Sequence, residues 1–421
     1  MIETMTLSPG VTLRCYTDTR FKQGRLSVQL VRPMCRKEAA MNSLLPAVLL
    51  RGTQKYPDLR SITVHLDDLY GATVGDLVRR IGDYHTTGLY CSFTEDRFAM
   101  TGDTILAPMV DFVRQILLEP LTAQGVFCRE FVESEKRNLI TDMEAQRNDK
   151  AAYAGAQLLK TMCKADSFGI PRLGETEQVA AITPEGLYGY YQKILRQSPA
   201  ALFYVGSAKP AEVARLLTPI FSGLDRQPMD LPPQSSFHNG GEAHTREEMD
   251  ISQSKLCMGF VTPITNTDPR FAAMQLLNTL FGAGMTSKLF QNVREKMSLC
   301  YAIGSGYYGS KGIVTVSAGI DAGKEQTVRG EILNQLEACR RGDITEAELS
   351  AARETVLSGL RTIPDSPGSI EGFYAAAALS GTPSDLDAYR RAVEAVTKED
   401  LVEAAKLLSF HSEFFLKGVE V

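Results

Sequence analysis

Apolar residues alternate with polar ones at Leu26, Val28 and Leu30, which predicts a half-buried strand closing in Val31-Arg32-Pro33-Met34. The same alternation returns 230 residues later at Leu256, Met258 and Phe260, closing in Val261-Thr262-Pro263-Ile264. Each strand leads into an apolar helix, one carried by Leu44, Leu45, Leu49 and Leu50, the other by Leu276, Leu277, Leu280 and Phe281. Gly52 and Gly284 follow these helices and are expected to close them in the left-handed conformation. The ends of the two halves also match. Thr183-Pro184-Glu185 and Thr397-Lys398-Glu399 both read as helix starts, a threonine cap followed by an acid in the first turn, with proline at the first helical position of the earlier copy. Each of these helices precedes a closing strand, Leu202–Gly206 and Phe414–Gly418. A repeated order of strand, helix, strands, helices and strand predicts an α+β fold of two homologous halves.

Gly223 to Met249 lacks periodicity and is rich in Pro, Gln, Ser, Asn and Gly, so it reads as a linker. The expected organisation is an α+β domain over 1–222, a linker over 223–249 and a homologous α+β domain over 250–421. Two similar halves on an extended tether predict a clamshell. A length of 421 residues leaves room for this. With 45 basic and 50 acidic residues the net charge is −5, which provides no basic field for nucleic acid or anionic lipid. The eight cysteines include no Cys-x-x-Cys pair and read as reduced thiols. The first residues carry Glu3 where a secretory signal needs a basic flank, and no apolar run approaches the roughly 20 residues that span a bilayer. A cytoplasmic protein that engages neither membrane nor nucleic acid is expected.

The run Ser43-Leu44-Leu45-Pro46-Ala47-Val48-Leu49-Leu50-Arg51-Gly52-Thr53, followed by Tyr56-Pro57, resembles the zinc helix of the pitrilysin/insulinase peptidases, whose pattern there is His-Phe-Leu-Glu-His-Met-Leu-Phe-Lys-Gly-Thr. Ile62, Leu66, Leu69 and Gly71 continue the likeness, as do Gly174-Glu175 and Ile182-Thr183. In the second half it is carried by Gly282-x-Gly284-Met285-Thr286-Ser287-Lys288-Leu289-Phe290-Gln291, Val293-Arg294-Glu295-Lys296 and Leu299-Cys300-Tyr301. The resemblance covers nearly the whole chain and implies the clamshell fold of the mitochondrial-processing-peptidase type. It also exposes a loss. In this family two histidines on successive turns hold Zn²⁺ and the intervening glutamate is the general base. Ser43, Pro46 and Ala47 stand in those three places. Proline and alanine neither ligate metal nor accept a proton, and Pro46 removes an intrahelical hydrogen bond, which should kink or shift the helix.

Glu135 and Asp142 keep the seven-residue spacing that the family uses for a supporting glutamate and a third zinc ligand, although Asp142 is one methylene shorter. Without histidine partners, they read as part of a solvated acidic helix face with Glu130, Glu133 and Glu144. The five histidines, His65, His85, His238, His244 and His411, show no helical ligand spacing and read as satisfied core or surface residues. No metal or cofactor site is expected in this chain. The glycine-rich run ending Thr286-Ser287-Lys288 has its lysine last, whereas a phosphate loop needs Gly-Lys before Ser or Thr.

Arg294 and Tyr301 remain. By residue type alone they could be a solvated arginine and a packing tyrosine. The resemblance instead matches them to an Arg/Tyr pair that the family contributes from its second half, a tyrosine hydroxyl donating to a developing oxyanion and a guanidinium holding substrate carbonyls. Neither generates a nucleophile. Some heteromeric members divide the work between a zinc-bearing subunit and a partner. This chain is similar to bacterial non-catalytic partner subunits, some named for elongation factor P aminopentanol modification. The resemblance therefore implies a subunit inactive alone, with zinc and an intact His-x-x-Glu-His motif in a homologous partner, assisting proteolysis of a peptide substrate through Arg294 and Tyr301. The alternative is a peptide-binding or structural module with no catalytic role. An independent hydrolase is disfavoured, since no Gly-x-Ser-x-Gly elbow is present.

Overall fold

The computed structural model describes residues 2–238 and 240–419. Two compact units emerge, and neither is one stretch of sequence. The first comprises residues 1–143, 171–233 and 363–376, and the second 144–170, 234–362 and 377–421.

The first unit is built on a six-stranded sheet. Its strands are β1 (Ile2–Ser8), β2 (Val11–Thr17), β3 (Gln23–Pro33), β4 (Thr73–Ile81), β5 (Tyr84–Thr94) and β8 (Ala200–Gly206), in the order β1-β2-β8-β3-β5-β4. A two-residue hairpin, β6 (Thr122–Ala123) with β7 (Val126–Phe127), stands apart. The helices of the first half are α1 (Arg36–Leu49), α2 (Leu59–Asp68), α3 (Leu106–Leu118), α4 (Arg129–Asn148), α5 (Lys150–Met162), α6 (Thr176–Ala180), α7 (Pro184–Gln197) and α8 (Pro210–Ser222). Leu26, Val28 and Leu30 of β3 point into a core with Leu44 and Leu45 of α1, Val113 and Ile116 of α3, and Leu187 and Ile194 of α7.

The second unit carries β9 (His244–Met249), β10 (Ser254–Val261), β11 (Cys300–Tyr308), β12 (Ile313–Ile320) and β13 (Ser409–Gly418), in the order β11-β12-β10-β13-β9. Helices α9 (Phe271–Phe281), α10 (Glu325–Arg341), α11 (Glu346–Thr362), α12 (Pro367–Ser380), α13 (Leu386–Ala395) and α14 (Lys398–Lys406) complete the chain. Reading β9-β13-β10-β12-β11 against β2-β8-β3-β5-β4 gives the same topology: the first pair is parallel and the rest antiparallel in both sheets. The repeat seen in the sequence is thus a repeat of strand order. Both threonine caps form, Thr183 accepting from Gly186 N–H at 3.1 Å and Thr397 from Asp400 N–H at 3.2 Å.

Three local expectations are corrected. His244–Met249 is a strand, not linker; its alternation carries few apolar residues because β9 is a sheet edge, held by parallel pairing to β13. Gly52 does not adopt a positive φ, and α1 ends three residues before it. Glycine is needed there for close approach, since a Cβ would lie 2.7 Å from the Pro57 carbonyl oxygen. Gly284 does have φ +139°, but α9 has already ended at Phe281.

Pro46 does not break α1, which runs through it to Leu49. A proline leaves the carbonyl four residues earlier without its intrahelical donor, and here that carbonyl is Asn42 O. Buried Thr87 on β5 supplies the missing donor, its hydroxyl bonding Asn42 O at 2.7 Å. On the opposite face of this sheet the start of α12 is held by Glu371, whose side chain is fully buried. Arg79 donates to both carboxylate oxygens at 2.9 and 2.7 Å, Ser27 Oγ at 2.8 Å and Gln29 Nε2 at 3.2 Å, with Arg25 Nε at 3.8 Å. A buried carboxylate is tolerable because charge and lone pairs are both met. Ile370 and Tyr374 pack beside it on Phe203 and Val205.

The helix-to-strand bond is testable by a double-mutant cycle. Thr87→Val should destabilise the chain by about 1–3 kcal/mol, the penalty for an unsatisfied buried carbonyl. In a Pro46→Ala background, where residue 46 regains its N–H, the same substitution should lose much of that effect. Urea unfolding of the four proteins measures the coupling, and equal penalties in both backgrounds would remove the compensating role.

Candidate functional site

The face of α1 that the resemblance assigns to zinc has become a packing surface. Ser43 is buried, its hydroxyl 3.0 Å from the Ala39 carbonyl oxygen and 3.1 Å from that of Arg172. Pro46 is buried and Ala47 half-buried. Arg172 extends from the loop before α6 and donates to Val78 O on β4 at 3.1 Å. Glu135 is not on a solvated face, as the sequence suggested. Its carboxylate pairs with Arg51 at 2.8 Å and is largely shielded, while the Arg51 guanidinium lies 5.2 Å from the Phe131 ring centroid. Asp142 does lie on the exposed face. Among the described residues no group of three or more His, Cys, Asp or Glu could hold a metal ion. The donor set does not fit zinc: a carbonyl-bound serine hydroxyl, a proline, an alanine and a carboxylate committed to arginine offer no ligand shell.

Next to Ser43 lies a polar chain that sequence reasoning missed. Asn42 Oδ1 accepts from the Tyr190 hydroxyl at 2.8 Å, which leaves its amide to donate to His85 Nδ1 at 3.1 Å. His85 is fully buried, and its Nε2, which then carries the proton, has no partner among the described residues. Burial first, then the nearby Arg172 and Arg80, lower the His85 pKa from 6.5 to about 4. Glu38 completes the chain. Burial pushes its carboxyl up, but hydrogen bonds from Arg32 and Lys193 carry it below the usual range. The other histidines also have partners: His65 bonds the Tyr56 hydroxyl at 3.1 Å, His238 lies 3.9 Å from Asp166, His244 lies 3.4 Å from Glu413, and His411 bonds Ser412 at 2.7 Å.

In the second unit Arg294 and Tyr301 sit on one irregular stretch. Residues Leu289–Lys296 form a π-helix, closed by Met297 N–H to Asn292 O at 3.1 Å. Ser298 follows with φ +50°, a left-handed conformation unusual for a residue with a side chain. The β11–β12 register then shifts between Cys300 and Ala302, so Tyr301 falls on a bulge. Arg294 stacks on Phe290 with its guanidinium 4.6 Å from the ring centroid and reaches Glu295 at 3.6 Å. Tyr301 is 61% exposed, and its hydroxyl donates to Asp321 Oδ1 at 3.0 Å. Hydrogen bonds from Lys324 and Tyr301 hold the Asp321 carboxyl below the usual range. Asp321 was not legible as a site residue, although its place directly after an apolar strand was a signal.

A two-unit α+β metallopeptidase fold whose ligand helix is filled with Ser43, Pro46 and Ala47 defines an inactive metallopeptidase homologue. Family comparison agrees: residues 181–356 match the peptidase M16 inactive domain. A probable inactive metalloprotease of Bacillus subtilis, YmfF, is 29% identical over 412 residues, spanning 98% of this chain and 96% of the relative. A conserved protein from Enterococcus faecalis superposes with a TM-score of 0.91 at 28% identity, covering 99% of both chains. A peptidase M16 inactive domain from Pseudomonas fluorescens shares the fold at TM-score 0.82 and 17% identity, over 100% of this chain and 99% of that one. Over nearly its whole length the chain is thus similar to the M16, or pitrilysin/insulinase, peptidases and to their inactive homologues. Among its described residues no helix is long and apolar enough to cross a membrane.

The buried histidine sets an acid limit on the first unit. Because the His85 pKa falls from 6.5 to about 4 on folding, the unfolded chain binds a proton in this window that the folded chain does not. Its stabilising contribution is full above pH 6.5 and is lost as pH falls toward 4, a difference of roughly 3 kcal/mol. Urea unfolding between pH 7.5 and 4.5 should show a much shallower decline in His85→Gln than in the parent. Parallel declines would show that other groups set the acid limb.

Proposed function

We propose that this chain is the non-catalytic subunit of a zinc metallopeptidase pair, lending Arg294 and Tyr301 to peptide substrate bound at a zinc-bearing homologue. The observation that carries the reading is the outward presentation of both side chains by consecutive backbone irregularities. A π-helix, a left-handed serine and a β-bulge lie within Leu289–Ala302. Each is locally unfavourable, and such features persist where a side chain must be aimed. A tyrosine aimed only at packing would not be 61% exposed. The chemistry left to the pair is stabilisation: a phenolic O–H can donate to an oxyanion, while a guanidinium holds carbonyl or carboxylate oxygens. Generation of the nucleophile falls to the partner, since Ser43, Pro46 and Ala47 cannot supply it. Eight cysteines with no Cys-x-x-Cys pair among them support a reducing, cytoplasmic setting.

Affinity isolation from native extract should recover an intact His-x-x-Glu-His homologue in equal amount, carrying the zinc. With labelled casein as substrate, the lone chain should be inactive and the pair active. Tyr301→Phe in this chain should lower turnover by roughly 10²-fold, the loss typical of an oxyanion donor. Unchanged turnover with altered peptide affinity would instead favour a binding module.

A further inference from the structure

The Tyr301 hydroxyl carries one proton, and that proton is already engaged. It is donated to Asp321 Oδ1 at 3.0 Å. Asp321 is itself held, its Oδ2 lying 2.8 Å from Lys324 Nζ. The same ammonium reaches the Ser298 carbonyl at 3.5 Å, on the other side of the left-handed turn. Asp321 also has a fixed origin. It follows Ile320, which pairs with Cys300 at the end of the β11–β12 ladder, and its carbonyl accepts the Lys324 N–H at 3.0 Å. Tyr301, Asp321, Lys324 and Ser298 therefore close a ring around the bulge.

To donate to a ligand oxygen, the Tyr301 O–H must rotate away from Asp321. The phenolic lone pairs would then face a carboxylate that Lys324 restrains from withdrawing. A neutral peptide carbonyl is a weaker acceptor than a carboxylate and gains little from this exchange. An oxyanion is a strong acceptor and can win the hydrogen bond. We infer that Asp321 is a positioning residue that keeps the Tyr301 donor in reserve, withholding it from ground-state peptide carbonyls and releasing it to an oxyanion. This rests on the reading of Tyr301 as an assisting donor. Its effect is differential: binding is held back in the ground state and realised as charge develops.

Asp321→Asn keeps the shape and weakens the acceptor. In the reconstituted pair with labelled casein, KM should fall about three- to tenfold with kcat unchanged, the split expected when the donor becomes equally available to the ground and transition states. In the lone chain, nitration of Tyr301 by tetranitromethane, followed by peptide mass spectrometry, should accelerate severalfold. Lys324→Gln, which loosens Asp321 without altering Tyr301, should move both readouts the same way and serves if Asp321→Asn fails to fold. Unchanged KM and unchanged nitration, with Tyr301→Phe still lowering turnover, would overturn the role of Asp321 and leave the assisting role intact. No effect of Tyr301→Phe would overturn that role, and the inference with it.

Discussion

A carbonyl oxygen deprived of its helical donor inside a core must find another donor or destabilise the fold, and Asn42 O is that atom here. Pro46 removes its partner and Thr87 replaces it from the neighbouring strand. With that bond in place, α1 continues through Pro46 as part of the core, with Leu44, Leu45 and Val48 buried. The surrounding polar atoms follow the same logic. Asn42 is fixed by Tyr190 and His85, Ser43 by backbone carbonyls, and Glu135 by Arg51. The helix has exchanged groups that would hold a metal for groups that satisfy one another. Recovering chemistry there would require undoing several interactions, not replacing three side chains.

The second unit shows the opposite pattern. Its equivalent strands pair in the same order, yet the segment entering β11 carries three backbone irregularities. Leu289 and Val293 anchor the inner side of the π-helix in the core, while Arg294, Met297 and Tyr301 remain outside. A regular α-helix and an unbulged strand would hold the same two core residues with better hydrogen bonding. What the irregular backbone adds is the direction of Arg294 and Tyr301.

The sequence was readable where the determinant is local. The strand at Leu26, Val28 and Leu30 and the threonine caps at Thr183 and Thr397 are encoded within a few residues and formed, although β3 is buried on both faces and not half-buried, because Glu371 covers Ser27 and Gln29. The missing zinc ligands were readable for the same reason, because the motif occupies one helix. Strand β9 was not readable, since an edge strand made of His-Thr-Arg-Glu-Glu-Met carries little apolar alternation and owes its conformation to β13. Glu371 escaped notice because its partners Ser27, Gln29 and Arg79 lie 344, 342 and 292 residues away in sequence. The pairings of Glu135 with Arg51 and of Asn42 with His85 were hidden likewise: each half is ordinary alone, and only the fold brings them together.

The two halves thus differ in what their polar residues face. In the first unit, polar groups point inward and terminate on one another, ending at a buried His85 that is kept neutral by its surroundings. In the second, Arg294 and Tyr301 point outward, and the Tyr301 hydroxyl ends on Asp321, an exchangeable surface partner. An inward network adds specificity to a fold but has no access to a ligand. A donor on an exposed bulge adds little stability, because a solvent-facing hydrogen bond has a small net effect. A strained, solvent-facing arrangement of this kind is not explained by the stability of the folded chain, and the proposed role of Tyr301 as a donor to a ligand oxygen would account for it.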